Sequence, residues 1–532
     1  MRALQCLLLL FSIHFTQSLK FLAYNPLVGM SHASYINKIA EILYDAGHEI
    51  TMVSPPMSGR TKMTYPRNWT VISIPMAKED IATAARDGES ASHIYWKYKS
   101  VFDFMKIIES VTNAGVKQCD VTLNHPGLLD SLRAEKFNGA FAEPFDFCGF
   151  GLIYLVGIKS YAMTMTVPAS DNTLRITGLP PMTAFVPGMT STFGEKMTLM
   201  QRIINTVVVA MSGEFMAAQW KKYQSTFDKV DPQFPLMEEI INNSSLYLVN
   251  SDVISDFPRI TTHKIVEAGG ITLGLSNGTL DEYWDSILSL RPFTVLLSFG
   301  TVAKASVMPD EYKKSIREAF KRFPDVTFIW KYEDPSHGIS KGIPNIIEST
   351  FVPQKELFND ARLTAFITHG GAGSMVEFLH AGVPVIVVPL AGEQSRVGPL
   401  IERLGTGVKV LRKDLDNPDV LTDAIHNIVY DTKYKSAAVL ISGRLKDQPF
   451  SAKERVLKNM VFMAKHGPLH FLNHHGMEMS LFSMYAIDVY LILLISIIIL
   501  ISLFLFIIYT GIRALLRIVK KRMEKRNIKK EK

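Results

Sequence analysis

The stretch Phe366–Pro389, FITHGGAGSMVEFLHAGVPVIVVP, decides how the second half of this 532-residue chain is read. An apolar run, TAFIT, stops at His369, and Gly370, Gly371 and Gly373 fall in the next four positions. Glycine lets a backbone turn sharply because no Cβ blocks the left-handed region. Ser374 then opens a predicted helix that Gly382 closes, and VPVIVVP reads as a following strand. A glycine turn at a helix start presents unpaired N–H groups and the positive end of the helix dipole, which attract phosphate. Ser374 adds a hydroxyl donor and His369 an imidazole donor. Glu377, one turn into the helix on nearly the same face, would repel phosphate but could accept bonds from a ribose diol. The segment is no P-loop, because no lysine follows the glycines in the required spacing. GAGSMV starts like G-x-G-x-x-G but has Val376 at the third glycine, with Glu393 at a distance that suits a ribose-binding acid. A dinucleotide turn, or a helix entry that binds nothing, therefore stays open from these residues alone.

Outward from this segment, strands alternate with helices. FTVLLSFG (293–300) reads as a strand ending in a glycine turn, EYKKSIREAFKRFP (311–324) as a helix and VTFIWKYE (326–333) as a strand. Near the N-terminus, KFLAYNP (20–26) is a strand that stops at Asn25–Pro26. Ile36, Ile39, Ala40 and Leu43 then recur at helical spacing, with Ser31 as N-cap and Gly47 as the stop, before HEITMVSP (48–55) forms a second strand. Strand, helix, strand in so short a span implies a parallel sheet. The polar stretch Ser276–Pro292 separates the two alternating regions. The expected fold class is α/β: two Rossmann-like, doubly wound domains of similar size facing a cleft, with ligands beyond the carboxyl ends of the strands. A hydrophobic content of 47% is ample for such cores.

The two chain ends carry different signals. MRALQCLLLLFSIHFTQS (1–18) has Arg2, an apolar Cys6–Phe15 run, and Thr16 and Ser18 at the −3 and −1 positions of a cleavage site, so it reads as a signal peptide. VYLILLISIIILISLFLFIIYTGI (489–512) is uncharged, with Tyr490 and Tyr509 near its ends, and exceeds the roughly 20 residues that span a bilayer. The tail 513–532 carries ten Lys/Arg against two Glu, which by the positive-inside rule puts it in the cytosol and residues 19–488 outside it. This surplus of eight exceeds the whole chain's formal +7, leaving about −1 elsewhere, so the basic charge reports topology and carries no nucleic-acid footprint. Beyond the leader only Cys119 and Cys148 remain, and spacing does not establish whether they pair. Sequons at Asn68, Asn242, Asn243 and Asn277 fit a lumenal body. The expected divisions are 1–18 leader, 19–280 first domain, 281–450 second domain, 451–488 helical return and membrane-proximal segment, 489–512 transmembrane helix and 513–532 tail.

Gln354 in FVPQKELF, FITHGGAGSMVEFLHAGVP and the Glu393–Gln394 pair together resemble the donor signature of the UDP-glycosyltransferase family, in particular its membrane-anchored UDP-glucuronosyltransferases. SFGT (298–301), DFPRITTHKIVEAGGI (256–271), the Ser31–His32 pair, the leader and the C-terminal anchor extend the resemblance over essentially the whole chain. It implies a GT-B fold with the donor held mainly by the C-terminal half and a small lipophilic acceptor by the N-terminal half. Phe351 stands where the family usually has a tryptophan beside the uracil, and Gln354 would contact the uridine. His369, Gly371 and Ser374 would line the diphosphate, assisted by Ser298 and Thr301; Glu377 would hold the ribose, and Glu393 and Gln394 the sugar. Three positions depart from the pattern: Gly373 replaces an asparagine, Glu393 an aspartate, and Val397 an asparagine. The final KKEK, with Lys529 and Lys530, resembles a dilysine retrieval signal of the endoplasmic reticulum membrane.

The resemblance places the general base at His32. A helix start disfavours imidazolium and would keep that ring neutral near pH 7. Glu143 aligns with the family's orienting acid, and Asp146 lies three residues on as a second candidate. The implied reaction is a single inverting displacement by an acceptor hydroxyl on a UDP-sugar, which is a co-substrate, so no cofactor is expected. The helix terminus would stabilise the departing UDP, and no metal is expected. Met182, Met189, Met197, Met200, Met211 and Met216 suit a pocket for varied apolar molecules, ordinary core packing or contact with a membrane. Glucuronate or glucose as the donor sugar, a non-catalytic UDP-sugar or lipophile binder, and homo-oligomer formation remain open at this level.

Overall fold

The strand–helix alternation is realised twice in the computed structural model, which describes residues 18–57, 63–76, 92–97, 100–273 and 279–528. The leader (1–17), the Asn277 sequon and Lys529–Lys530 lie outside the described residues. In the first half, β1 (Lys20–Tyr24), β2 (Glu49–Ser54), β3 (Thr70–Ser73), β4 (Gly139–Ala142), β5 (Tyr161–Met165), β6 (Leu246–Val249) and β7 (Ile265–Glu267) form one sheet. Its order is β3-β2-β1-β4-β5-β6-β7, and every pairing is parallel. In the second half, β8 (Phe293–Ser298), β9 (Val326–Lys331), β10 (Ile346–Ser349), β11 (Leu363–Thr368), β12 (Val385–Val387) and β13 (Gly407–Lys409) pair in the order β10-β9-β8-β11-β12-β13, again all parallel. Strand order reverses between β1 and β4 in one sheet and between β8 and β11 in the other, and such switch points open a crevice at the strands' carboxyl ends.

Burial on both faces explains why these strands read as unbroken apolar runs. Phe21 and Ala23 enter one core cluster while Leu22 and Tyr24 enter another, as alternation along a strand requires. Val295 and Leu297 likewise face one core of the second sheet and Leu296 the other. The helix Glu282–Leu288 packs Trp284, Ile287 and Leu288 into the second half. The helix Ala452–His466 returns to the first half, where Val456, Met460 and Met463 complete its core. The apolar run 147–158 contains the helix Cys148–Val156, and Cys148 is disulfide-bonded to Cys119.

Two helix starts differ from expectation in the same way. Ser31 does not cap the helix Met30–Asp45: Gly29 does, with extended backbone and a carbonyl that accepts the first helical bond from Ala33. Ser374 does not open its helix either; Gly371 caps Ala372–Ala381 and accepts from Met375 N–H. Each helix therefore begins earlier, and both His32 and Ser374 occupy the third helical position. Gly47 and Gly382 end the two helices with φ of +88° and +67°, as read from the sequence.

Residues up to Asn473 form one compact unit and His474–Lys532 a second. The second is dominated by the 42-residue helix Ile487–Ile528, about 63 Å long, which contains the apolar stretch and continues into the basic tail. Among the described residues it is the helix long and apolar enough to cross a membrane. Asn68 and Asn243 are exposed, whereas Asn242 is partly buried.

Gly407 in β13 has no room for a side chain, because an added Cβ would lie 2.2 Å from the Val385 carbonyl oxygen. Gly407→Ala is expected to destabilise the second half by about 1–3 kcal/mol. Denaturant unfolding followed by tryptophan fluorescence, with an unchanged midpoint as the contrary result, checks this packing.

Candidate active site

A cleft of about 1690 Å³ runs between the two halves, and all twelve site residues expected from the sequence border it. Most arrive from the two switch points: His32 follows β1 and Glu143 follows β4, while Ser298 ends β8, Thr301 follows it and His369–Glu377 follow β11; Phe351 and Gln354 follow β10, and Glu393 and Gln394 follow β12.

On the first-half wall, His32 Nδ1 lies 2.9 Å from Glu143 Oε2. The other carboxylate oxygen, Oε1, accepts from the Thr166 N–H at 3.0 Å and from the Thr166 hydroxyl. Glu143 is only 3% exposed, so the bonds from Thr166 fix which oxygen faces the imidazole. The Phe145 ring packs on His32 with centroids 4.5 Å apart. Burial lowers the His32 pKa, but the Glu143 carboxylate outweighs it and Glu393 adds to the pull, so the net direction is upward. The helix start therefore does not set the electrostatics of this ring; the adjacent carboxylate does. Burial likewise raises Glu143, yet His32 and Thr166 hold it below the ordinary carboxylate value. Asp146 is not the partner of His32: it is fully buried, accepting from Tyr24 OH at 2.8 Å and Cys148 N–H at 3.1 Å, and burial raises it to about 6.

On the second-half wall, the glycines around His369 make space for its ring. A Cβ at Gly300 would come within 2.8 Å of His369 Cε1, and one at Gly371 within 2.7 Å of its Nε2. His369 is thus bracketed by two backbones at the helix start. Burial and the nearby Lys331 push it down to about 4, so the imidazole is neutral at physiological pH. Gly373 has nothing within 4 Å of a would-be Cβ, so this position opens onto free space. Gln354 Nε2 donates to Glu377 Oε2 at 2.6 Å and reaches Ser374 Oγ at 3.5 Å. Burial raises Glu377 despite the bond from Gln354. Phe351 is 71% exposed at the cleft, free to stack on a planar ligand. Gln394 Oε1 accepts from the N–H groups of Leu390 and Ala391, shaping the turn after β12. Glu393 is raised by burial.

Sequence reading missed two contributors. Lys331 ends β9 and donates to the Gly300 carbonyl at 2.5 Å, placing a cation beside the turn that carries Ser298 and Thr301. A lysine closing the apolar run VTFIW was its only signal. Thr166 was invisible because its partner, Glu143, lies 23 residues away on a neighbouring strand end. Of the methionines singled out, Met189 and Met216 border the cleft, Met182 is buried, and Met200 and Met211 are exposed. Met57, Met163, Phe104 and Trp220 add apolar wall on the first-half side. Among the described residues, no three His, Cys, Asp or Glu side chains cluster as a metal site would need.

Two parallel sheets facing such a cleft define a GT-B glycosyltransferase fold. The fold matches a UDP-glucosyltransferase from Polygonum tinctorium with a TM-score of 0.57 at 13% identity, covering 85% of this chain and 99% of that one. Phytolacca americana UGT2, solved with UDP-2fluoro-glucose and pterostilbene, matches with a TM-score of 0.57 at 13% identity, over 84% of this chain and 99% of that one. The family profile described as "UDP-glucoronosyl and UDP-glucosyl transferase" matches residues 25–522, and this chain belongs to that family of glycosyltransferases. A putative UDP-glucuronosyltransferase of Caenorhabditis elegans is 28% identical over 89% of this chain and 91% of its own length. Bovine UDP-glucuronosyltransferase 3A1 is 27% identical (90% and 91% covered), and human 2-hydroxyacylsphingosine 1-beta-galactosyltransferase 25% identical (92% and 88% covered).

The two cleft histidines should titrate in opposite directions. Lys331→Met removes the cation beside His369 and is expected to raise its pKa from about 4 towards the ordinary value. Glu143→Gln removes the charge that holds His32 up and is expected to lower its pKa. Histidine ring NMR, assigned with single His→Gln variants, measures both shifts; movement of either in the other sense contradicts the roles of Lys331 and Glu143 as the controlling charges.

Proposed function

We propose that this chain transfers a hexuronosyl group, with inversion, from UDP-glucuronate to a hydroxyl of a small lipophilic acceptor. The observation that carries the reading is the His32–Glu143 pair on one wall of a single cleft whose other wall is the Ser298, His369 and Ser374 set. With Nδ1–H donated to Glu143, the free His32 Nε2 accepts the acceptor's proton, and Glu143 stabilises the imidazolium that forms. The hydroxyl oxygen bonds to the anomeric carbon as the bond to UDP breaks, so one displacement inverts that centre. Charge grows on the diphosphate, where the helix start at Ala372, the Ser374 and Ser298 hydroxyls, the neutral His369 donor and Lys331 offer complementary groups. Gln354 and Glu377 would hold the uridine, with Phe351 against the base. Glu393 and Gln394 would contact the sugar. These groups require no resident cofactor in this reading.

A different donor sugar has a specific observation in its favour. Gly373 opens space and Glu393 carries a longer arm at the sugar end, and one relative is named a galactosyltransferase. UDP-glucose and UDP-galactose are therefore the competing donors. We assign the body to the lumen of the endoplasmic reticulum as a single-pass type I protein with a cytosolic tail. The apolar helix, the basic tail, the leader pattern, the KKEK end and a Cys119–Cys148 disulfide support this.

A UDP-release screen over UDP-glucuronate, UDP-glucose and UDP-galactose with phenolic and steroid acceptors tests the reading. UDP-glucuronate is expected to give the largest rate, and saturable donor binding without release for any acceptor would favour a binding protein. His32→Ala is expected to lower kcat by about 10²- to 10⁴-fold. The base must be neutral to act, so activity should fall as pH drops through a pKa above 6.5. Glu143→Gln should slow the reaction and carry that acid limb to lower pH; a limb that stays in place removes His32 from the role.

A further inference from the structure

One segment of the first half reaches into the second and takes no part in the transfer chemistry. Residues 92–97 form a helical turn whose Trp96 is 3% exposed and belongs to the core of the second half. Its indole packs edge-on against Phe299 with centroids 5.0 Å apart, and Nε1–H donates to the Lys304 carbonyl at 2.8 Å. Lys304 N–H in turn donates to Ser92 Oγ at 2.9 Å, so both backbone groups of Lys304 are tied to this segment. Arg412 adds a third tie by donating to the Tyr95 carbonyl at 2.8 Å.

What these bonds hold is the turn after β8. Phe299 lies between Ser298 and Gly300, and Thr301 and Val302 stand exposed at the cleft. Beyond Ser298, which pairs with Thr368, the turn leaves the sheet, since β8 ends there. From the second half itself the turn receives the Lys331 bond to Gly300 and the Ser298 hydroxyl bond from Gly300 N–H. Its far end rests on Ser92 and Trp96. Tyr95, on the same segment, borders the cleft near Glu393, where burial and that carboxylate push its phenol up to about 12. The segment therefore touches the cleft at both the Ser298–Thr301 end and the Glu393 end.

We propose that Trp96, together with Ser92, is a positioning element lent by the acceptor half to the donor half: it holds the Ser298–Lys304 turn in the shape that receives the donor diphosphate. This rests on the reading that the turn binds a UDP-sugar. Donor affinity then depends on the two halves being engaged, because the clamp and the turn belong to different halves. Trp96 touches no reacting atom, and its loss should appear in donor binding rather than in proton transfer.

The test uses the full-length chain in detergent, with UDP binding by calorimetry and steady-state kinetics on Trp96→Ala, Trp96→Phe and Ser92→Ala. Losing one hydrogen bond to the turn in Trp96→Phe or Ser92→Ala is expected to weaken UDP about three- to tenfold. Trp96→Ala, which also loses the packing, is expected to weaken it by more than tenfold. Donor KM should rise in step, while acceptor KM and the acid limb of the pH profile stay in place, which a general loss of structure would not produce. Should Trp96→Ala fail to fold, the two smaller substitutions carry the test. Wild-type chain that binds UDP alongside folded variants that bind it equally well would overturn this inference alone. Wild-type chain that does not bind UDP would overturn the functional reading and this inference with it.

Discussion

The reversal of strand order in each sheet is the constraint from which the cleft follows. Because β1 and β4 are neighbours although 114 residues separate their ends at Tyr24 and Gly139, the connections leaving them diverge and leave a crevice between. His32 and Glu143 sit at that crevice, 111 residues apart in sequence and 2.9 Å apart in space. The neighbouring β8 and β11 do the same for Ser298 and His369. A pairing error in either sheet would move one member of each set to another strand end. The parallel ladder therefore sets the chemistry as much as the residues do.

The cleft also depends on pieces that cross between halves. Trp96 enters the core of the second half, while the helix Ala452–His466 returns to fill the first. Glu195 pairs with Arg403 at 2.9 Å, and Lys409 donates to the Thr192 carbonyl, joining the loop before the helix Leu199–Asp228 to the second half. The ion pair is partly exposed and contributes little by itself. Removing a buried indole from a core is a different matter, costing about 3–5 kcal/mol for Trp→Ala. Registration of the two walls thus falls chiefly to apolar anchors, which do not weaken with salt as surface charges do.

Much of this was legible in the sequence because parallel strands buried on both faces leave unmistakable apolar runs. FTVLLS, VTFIW and LTAFIT were read correctly for that reason, and the glycine turn after the last of them located one wall of the cleft. The short strands β10 and β13 were not read, since four residues of IIES and three of GVK carry no periodicity of their own. Helix starts were misplaced by two or three residues because a glycine cap offers no side chain to recognise, while a nearby serine looks like one. The choice between Glu143 and Asp146 could not be made locally. It is settled by which strand end each faces: Asp146 turns inward to Tyr24, and Glu143 is pinned by Thr166 from the adjacent strand. Lys331 and Trp96 went unseen for the same reason, since their meaning lies wholly in what they touch.

The two histidines of the cleft show how one fold assigns opposite duties to the same side chain. Both follow a central strand near a glycine-capped helix start, so the backbone alone would treat them alike and disfavour charge on each. The difference comes from one neighbour apiece. Lys331 reinforces burial at His369 and keeps that ring neutral, able to donate a hydrogen bond without ever competing for a proton. Glu143 opposes burial at His32 and makes the ring a better proton acceptor. Environments that drive like groups apart are how acid–base roles become distinct within one site. In the proposed reaction the proton then has one destination, on the His32 side of the cleft, and the His369 side keeps its positive field for the leaving diphosphate.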